Sequence, residues 1–186
     1  MTGRVDRLKK NYHLDILWTA FPLHPETPED GTTLQELFRG RLVDIPGMMA
    51  RLKKVAEEEE LPLGDRKMTY NSRRAQELSK WAESKGVGPA YHDALFRAYF
   101  AHGTNIAKMP ELVLLAESLG LDGVEAKQVL EQRTFKEAVD ADWQRSREQR
   151  VSAVPTFFMG GRNLVGAQSY AVLEKFVQEG NTAKRS

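Results

Sequence analysis

The sequence predicts an α/β fold in which a few strands flank a long helical segment. Residues 13–21 (HLDILWTAF) begin with apolar–polar alternation and are rich in residues favoured in strands. Helical periodicity and helix start signals then run, in pieces, from residue 32 to about residue 149. From residue 154 onwards the pattern changes to a short strand, a glycine turn, a second strand and a closing helix.

Capping residues divide the central segment into separate helices. Thr33 predicts a short helix that ends near Gly40, and Asp44 followed by Pro46 predicts a helix through Glu60. Further helices are expected to start at Asn71, at Pro89, near residue 109 and at Asp122, and the last is expected from Thr134 to Gln149. Residues 4–11, ahead of the first strand, are typical of the end of a helix.

The C-terminal part predicts a β-hairpin. Residues 154–159 form its first strand, Gly160 and Gly161 form a tight turn, and residues 163–165 form the returning strand. A closing helix is expected to begin at Gln168 and Ser169. Pro155 stands at the start of the first strand, where it cannot donate a backbone hydrogen bond to a ladder.

Composition excludes several classes of function. The formal net charge of +1 provides no basic field for nucleic acid, and the apolar runs are too short to span a membrane. No secretory signal is apparent at the start, so a cytoplasmic protein is expected. The 186 residues contain no cysteine, which excludes disulfides, thiolate nucleophiles and cysteine-ligated metals.

The histidines predict no metal site and no catalytic base. His13, His24, His92 and His102 are scattered, and no two of them have the spacing of a helical zinc site. A surface or capping role is expected for them. We therefore assign no catalytic residue and no metal ligand from the sequence.

The residues Val154-Pro155-Thr156-Phe157, with the hairpin and the Gly166-Ala167-Gln168 helix start behind them, resemble the cis-proline loop of the DsbA-like thioredoxin superfamily. The stretches LDILWTAFPLHPETPEDG, YNSRRAQELSKWAESKG and HDALFRAYFAHGTNIAKMPELVLLAESLGL resemble the FrnE-type branch, which is related to 2-hydroxychromene-2-carboxylate isomerases and kappa-class glutathione transferases. The resemblance implies a thioredoxin-like domain in residues 1–31 and 151–186 that is interrupted by a helical insertion in residues 32–150. It also implies a cis bond at Pro155.

The chain departs from this family at its start. Family members usually begin with a strand and a Cys-x-x-Cys motif, whereas GRVDRLKKNY matches the end of their first helix. The first strand and the redox motif are therefore missing from these residues. A misassigned start, a truncated chain and true divergence all account for this pattern. In each case these residues cannot carry out thiol–disulfide exchange, because the attacking group must be a thiolate.

The resemblance also implies a binding site. Val154 would offer its backbone N–H and C=O to an extended peptide or to glutathione, and Pro155 would shape the loop. Gln168 and Ser169 can hydrogen-bond an anion at a helix N-terminus, although an N-cap role explains Ser169 more simply. No cofactor is required. Glutathione stays open as a ligand, but the serine and the Asp-Arg pair of glutathione-using relatives have no match here.

Three functions follow as alternatives. The first is the family's protein disulfide oxidoreductase activity, for which these residues lack the cysteines. The second is that of a glutathione-dependent isomerase or transferase. The third is a non-catalytic binding or assembly module on the same scaffold.

The missing first strand also predicts an interface. In the parent fold that strand lies between residues 13–21 and residues 154–159, so its loss leaves two strand edges with unpaired backbone groups. The two strands can pair directly, or a second chain can cover them. We expect a homodimer, with contacts in residues 17–23 and 96–100.

Overall fold

The computed structural model describes residues 2–180 and 182–185, apart from the side chain of Thr2. The chain divides into two compact units, which we call the hairpin unit (Met1–Phe21 with Trp143–Ser186) and the helical unit (Pro22–Asp142). In chain order the elements are α1 (Thr2–Asn11), β1 (Thr32–Thr33), α2 (Leu34–Leu37), α3 (Ile45–Glu58), β2 (Met68–Thr69), α4 (Arg73–Ser84), α5 (Gly88–Phe96), a π-helical turn (Arg97–Ala101), α6 (Met109–Glu117), α7 (Gly123–Gln132), α8 (Lys136–Glu148), β3 (Thr156–Met159), β4 (Arg162–Val165) and α9 (Tyr170–Glu179). No helix in the described part of the chain is long and apolar enough to cross a membrane.

The core of the hairpin unit lies between α1, α9 and one face of the hairpin. Leu8 of α1 and Tyr12, the residue that follows α1, pack with Leu173 and Val177, which lie one turn apart on α9. Three side chains of the hairpin pack on this cluster: Phe157, Met159 and Leu164. The hydroxyl of Tyr12 accepts a hydrogen bond from Gln178 at 2.8 Å, so the buried phenol also meets its polar requirement.

The predicted hairpin is present. β3 and β4 pair antiparallel from Thr156↔Val165 to Met159↔Arg162. Gly160 and Gly161 both have positive φ, 55° and 75°, as a two-residue type I′ turn requires. The first strand begins at Thr156, later than the expected residue 154, because the chain bends through the residues just before it.

Residues 13–21 form no β-ladder in the structure, in contrast to the strand expected there. The backbone N–H of His13 donates to the carbonyl of Ala183 at 3.0 Å, and Tyr12 forms an isolated bridge with Lys184. A strand is defined by the ladder it forms with a neighbour, and among the described residues no segment forms a β-ladder with residues 13–21. Direct pairing of this segment with β3, one of the two expected arrangements, is therefore not formed.

The helical unit has its own apolar core. Trp81 and Leu78 of α4 are buried at its centre, against Tyr91 of α5, Leu112 of α6 and Leu130 of α7. Three of its helices start at the predicted caps. Thr33 and Glu36 form a capping box on α2, and the carboxylates of Asp44 and Asp122 accept from backbone N–H groups at the starts of α3 and α7.

The start of α4 differs by one residue from the expectation. Ser72 occupies the N-cap position without a capping hydrogen bond from its side chain, while the side-chain oxygen of Asn71 accepts from the N–H of Arg73 at 2.9 Å. The Asn71 amide donates to the carbonyls of Pro25 and Thr27, both at 2.9 Å. Asn71 therefore holds the proline-rich loop of residues 22–31 onto the start of α4.

A buried carboxylate ties three helical segments together. Glu77 of α4 is fully buried, and it accepts from Arg73 of the same helix at 2.6 Å and from Arg133, after α7, at 2.6 Å. Arg73 also reaches Asp140 of α8 at 2.7 Å. A buried charge is tolerated only when it is paired and hydrogen-bonded. Arg73 and Arg133 together provide this pairing for the Glu77 carboxylate.

We expect Glu77→Ala to lower the free energy of unfolding of the helical unit by about 3 kcal/mol, because it leaves the poorly exposed Arg73 without its buried partner. Denaturant titration followed by circular dichroism measures the change. Glu131→Ala, which breaks the exposed pair with Lys127, serves as the control and should cost no more than about 0.5 kcal/mol. Equal losses in the two variants would contradict the role given to Glu77.

His92 on α5 lies mostly buried, in contrast to the surface or capping role expected from the sequence, with its Nε2 3.6 Å from the Oε1 of Glu83. Burial lowers the pKa of His92 below its ordinary value, and the nearby Lys80 ammonium acts in the same direction, against the opposing effect of Glu83. Because the folded state binds the proton more weakly than the unfolded state, stability is lost as the pH falls below about 6.5.

We therefore expect the wild-type protein to lose more stability than His92→Gln when the pH is lowered through this range. The measurement is the urea midpoint of both proteins at a series of pH values. The difference in urea midpoint between the two proteins should be constant at neutral and higher pH and should change only at acidic pH. A difference that does not vary with pH would show that His92 titrates normally.

Candidate binding site at the outer edge of β3

The register of the hairpin decides which backbone groups of β3 are free. Gly166 donates its N–H to the carbonyl of Pro155 at 2.7 Å, so this pair occupies a hydrogen-bonded position. Hydrogen-bonded and non-hydrogen-bonded pairs alternate along an antiparallel ladder. Thr156 and Phe158 are therefore the non-hydrogen-bonded positions, and their N–H and C=O groups point away from β4.

The side chains of β3 alternate in the same way. Phe157 and Met159 pack on the core of the hairpin unit, so Thr156 and Phe158 lie on the opposite face. Phe158 is 40% exposed. No described segment forms a backbone hydrogen bond with the outer edge of β3. The edge combines open backbone groups with an exposed aromatic ring.

The loop before β3 extends this edge. The Val154–Pro155 peptide bond is cis, and the Val154 side chain is 46% exposed. The backbone N–H and C=O of Val154 make no hydrogen bond with any residue that the structure describes. The hydroxyl of Thr156 donates to the carbonyl of Ala153 at 2.6 Å and closes the turn that contains Val154. Val154 is thus held in place while its own polar groups stay open.

Gln168 and Ser169 lie at the same end of the hairpin as Val154, since Gly166 pairs with Pro155. Their polar groups already have partners. The Gln168 amide donates to the carbonyl of Val165 at 2.7 Å, and the backbone carbonyl of Gln168 accepts from Arg4. The hydroxyl of Ser169 accepts from the N–H of Val172 at 3.4 Å, which makes Ser169 the N-cap of α9. The N-cap role expected for Ser169 is confirmed.

The sequence reasoning singled out one part of this edge and missed another. It named Val154 and Pro155 from a family resemblance, but it did not name Thr156 or Phe158. Both residues could have been named from the sequence, because a two-residue Gly-Gly turn fixes the register of the hairpin. The register then determines which residues of each strand have backbone groups that point away from the other strand. In the described residues no group of three or more histidine, aspartate or glutamate side chains is placed to hold a metal ion.

The strand-turn-strand-helix order and the cis-proline loop define a thioredoxin-like protein. A family model described as the DSBA-like thioredoxin domain matches residues 1–178, and the chain belongs to that family. This agrees with the resemblance inferred from the sequence. The 186 residues contain no cysteine and therefore supply no thiolate of their own.

Solved structures share this fold. A probable DsbA oxidoreductase from Streptomyces coelicolor superposes with a TM-score of 0.84 at 22% identity and covers 96% of this chain and 82% of its own. A 2-hydroxychromene-2-carboxylate isomerase gives a TM-score of 0.77 at 23% identity, with 95% of this chain and 86% of that chain covered. The cytosolic disulfide reductase DsbM from Pseudomonas aeruginosa gives 0.53 at 20% identity, with 72% and 77% covered. At these identities the likeness concerns the fold.

A curated relative matches over a shorter stretch. The uncharacterized protein YwbO from Bacillus subtilis is 33% identical over 100 residues, which is 53% of this chain and 50% of the relative. The matched stretch therefore spans about half the length of that relative.

We expect Ser169→Ala to lower the free energy of unfolding by about 1 kcal/mol, because α9 loses its cap. Ser169→Asp should restore most of this loss, since aspartate is also a good N-cap residue. Thermal unfolding by circular dichroism measures both. A Ser169→Ala protein as stable as the wild type would contradict the capping role and return Ser169 to the list of candidate ligand-binding residues.

Proposed function

We propose that this protein binds an extended polypeptide segment along the outer edge of β3. The observation that carries the proposal is the row of open backbone groups at Val154, Thr156 and Phe158. Their spacing of two residues is that of the hydrogen-bonding positions along one edge of a strand. A peptide in the β conformation can pair with all three, as in recognition by strand addition.

The exposed side chains favour a partly apolar peptide. Val154 and Phe158 lie at the two ends of this edge and are nearly half exposed, while the threonine lies between them. Cross-strand contacts with apolar or β-branched residues of the peptide would cover both. Because alternate residues of a strand face opposite sides, the peptide would be apolar or β-branched at every second residue, and its backbone would supply most of the affinity.

Binding without dithiol exchange accounts for the family membership and the composition together. The relatives include proteins described as oxidoreductases, and a disulfide oxidoreductase must hold a polypeptide near its thiols. These residues provide the polypeptide-binding edge but no thiolate. Glutathione is the weaker candidate ligand, since the side chains of Gln168 and Ser169 are engaged within the hairpin unit.

The experiment is a titration of the isotope-labelled protein with a capped peptide of alternating threonine and valine. We expect the amide signals of Val154, Thr156 and Phe158 to shift together. Phe158→Pro removes one outward N–H and should weaken binding about tenfold, the equivalent of about 1.4 kcal/mol for a lost hydrogen bond. The readout is the amide chemical shift as a function of peptide concentration.

Two controls separate the backbone from the side chain and one edge from the other. Phe158→Ala removes the ring but keeps the N–H, so it should weaken binding less than Phe158→Pro. Asn163 is the β4 residue paired with Phe158, and its N–H points away from β3, to the far edge of β4. Asn163→Pro should therefore leave binding unchanged. Equal weakening by Phe158→Pro and Asn163→Pro, or amide shifts confined to another part of the protein, would overturn the proposal.

A further inference from the structure

Helix α3 presents an apolar stripe that the described chain leaves open. Apolar residues recur at three- and four-residue intervals along one side of the helix, as in a helix that packs on a partner. These residues are Ile45, Met48, Met49, Leu52, Val55 and Ala56. None is buried, and Leu52 and Val55 are exposed by 47% and 45%. An amphipathic helix without a buried residue is unusual, because most helical stability comes from packing.

The rest of the helical unit approaches this helix on one flank only. The Lys53 ammonium lies 2.7 Å from the Asp65 carboxylate, and a groove of about 740 Å³ separates Ile45 and Met49 from the segment around Arg66. Leu52 and Val55 lie on the other flank, away from this groove. The flank that carries these two residues is therefore available to a partner.

The charges of α3 are divided along its length. Arg51, Lys53 and Lys54 occupy the middle of the helix, and four glutamates follow at residues 57–60. Acidic groups at a helix C-terminus oppose the helix dipole, and the last turn of α3 contains no basic residue. The helix therefore has a basic middle and an acidic end, an arrangement that its own dipole does not favour.

We propose that two copies of this protein associate through α3, packed antiparallel across a two-fold axis. Antiparallel packing places Leu52 against Val55 of the second copy. In the same register Arg51 lies beside Glu58 of the second copy, and the two-fold axis repeats this pair. Parallel packing along the same stripe would instead bring Arg51 to Ala56 of the second copy and would form no such ion pair. Neither Arg51 nor Glu58 has an ion pair within the described chain, so both are available for this contact.

The expected dimer is reversible. A helix of 14 residues is about 21 Å long, and a single pair of such helices buries less than the roughly 800 Å² per partner of a standard interface. Leu42 and Val43, exposed just ahead of α3, extend the apolar surface. We therefore expect association in the micromolar range. The proposed contact lies outside residues 17–23 and 96–100, which the sequence favoured. It involves no residue of the β3 edge.

Sedimentation velocity of the full chain over a range of micromolar concentrations tests the proposal. The wild type should shift from monomer to dimer, and Leu52→Glu should remain monomeric. Arg51→Glu and Glu58→Arg should each raise the dissociation constant about tenfold, because each places like charges together. The double variant Arg51→Glu/Glu58→Arg should recover the wild-type constant, since it restores the pair with reversed signs.

Glu57→Arg is the matched control. It makes the same change of charge one residue away, on the side of α3 opposite to the stripe, and should not alter the dissociation constant. Circular dichroism verifies that each variant is folded. A protein that stays monomeric throughout would overturn the proposal. So would a dimer that persists in Leu52→Glu, or a double variant no better than the single ones.

Discussion

The hydrogen-bond alternation across the β3–β4 hairpin is the constraint on which the candidate site depends. One turn of two glycines sets the register, and the register decides which residues of β3 are used within the hairpin. Phe157 and Met159 serve the hairpin and the core beneath it. The backbone N–H and C=O groups of Thr156 and Phe158 stay open, and their side chains lie on the face opposite to the core. The same alternation that stabilises the hairpin therefore leaves a second edge with open backbone hydrogen-bonding groups.

The helical unit depends on a different kind of interaction. Its apolar core is closed by helices whose starts are fixed by local caps, and the buried Glu77 carboxylate adds a directional constraint. Apolar contacts alone allow helices to slide, whereas a charge held by two arginines requires α4, the end of α7 and the start of α8 to lie in register. Such a group is costly to bury, so it specifies an arrangement more than it adds stability.

Membership of the DSBA-like thioredoxin domain family defines a scaffold, and the chemistry depends on the residues placed on it. The structural neighbours include proteins described as an oxidoreductase, an isomerase and a reductase, which share the fold to different extents. In these 186 residues the functional feature that we propose is a peptide-binding edge, and the residues supply no thiolate. The peptide-binding part of the scaffold and its redox part are thus separable in physical terms, because one uses backbone groups and the other uses side-chain sulfur.

The sequence alone determined the hairpin and the helix starts at Thr33, Asp44 and Asp122, because these rest on local hydrogen bonds and turn geometry. The N-cap role of Ser169 was local in the same sense. The class of fold followed from the order of the predicted elements and from the family resemblance. The pairing of residues 13–21 was not determined locally, because a strand needs a neighbour that no sequence pattern supplies. The tertiary structure also decided that the apolar stripe of α3 stays exposed and that Phe158 faces outwards. An amphipathic pattern shows that a surface is suited to burial, but whether another segment reaches it depends on the packing of the whole unit.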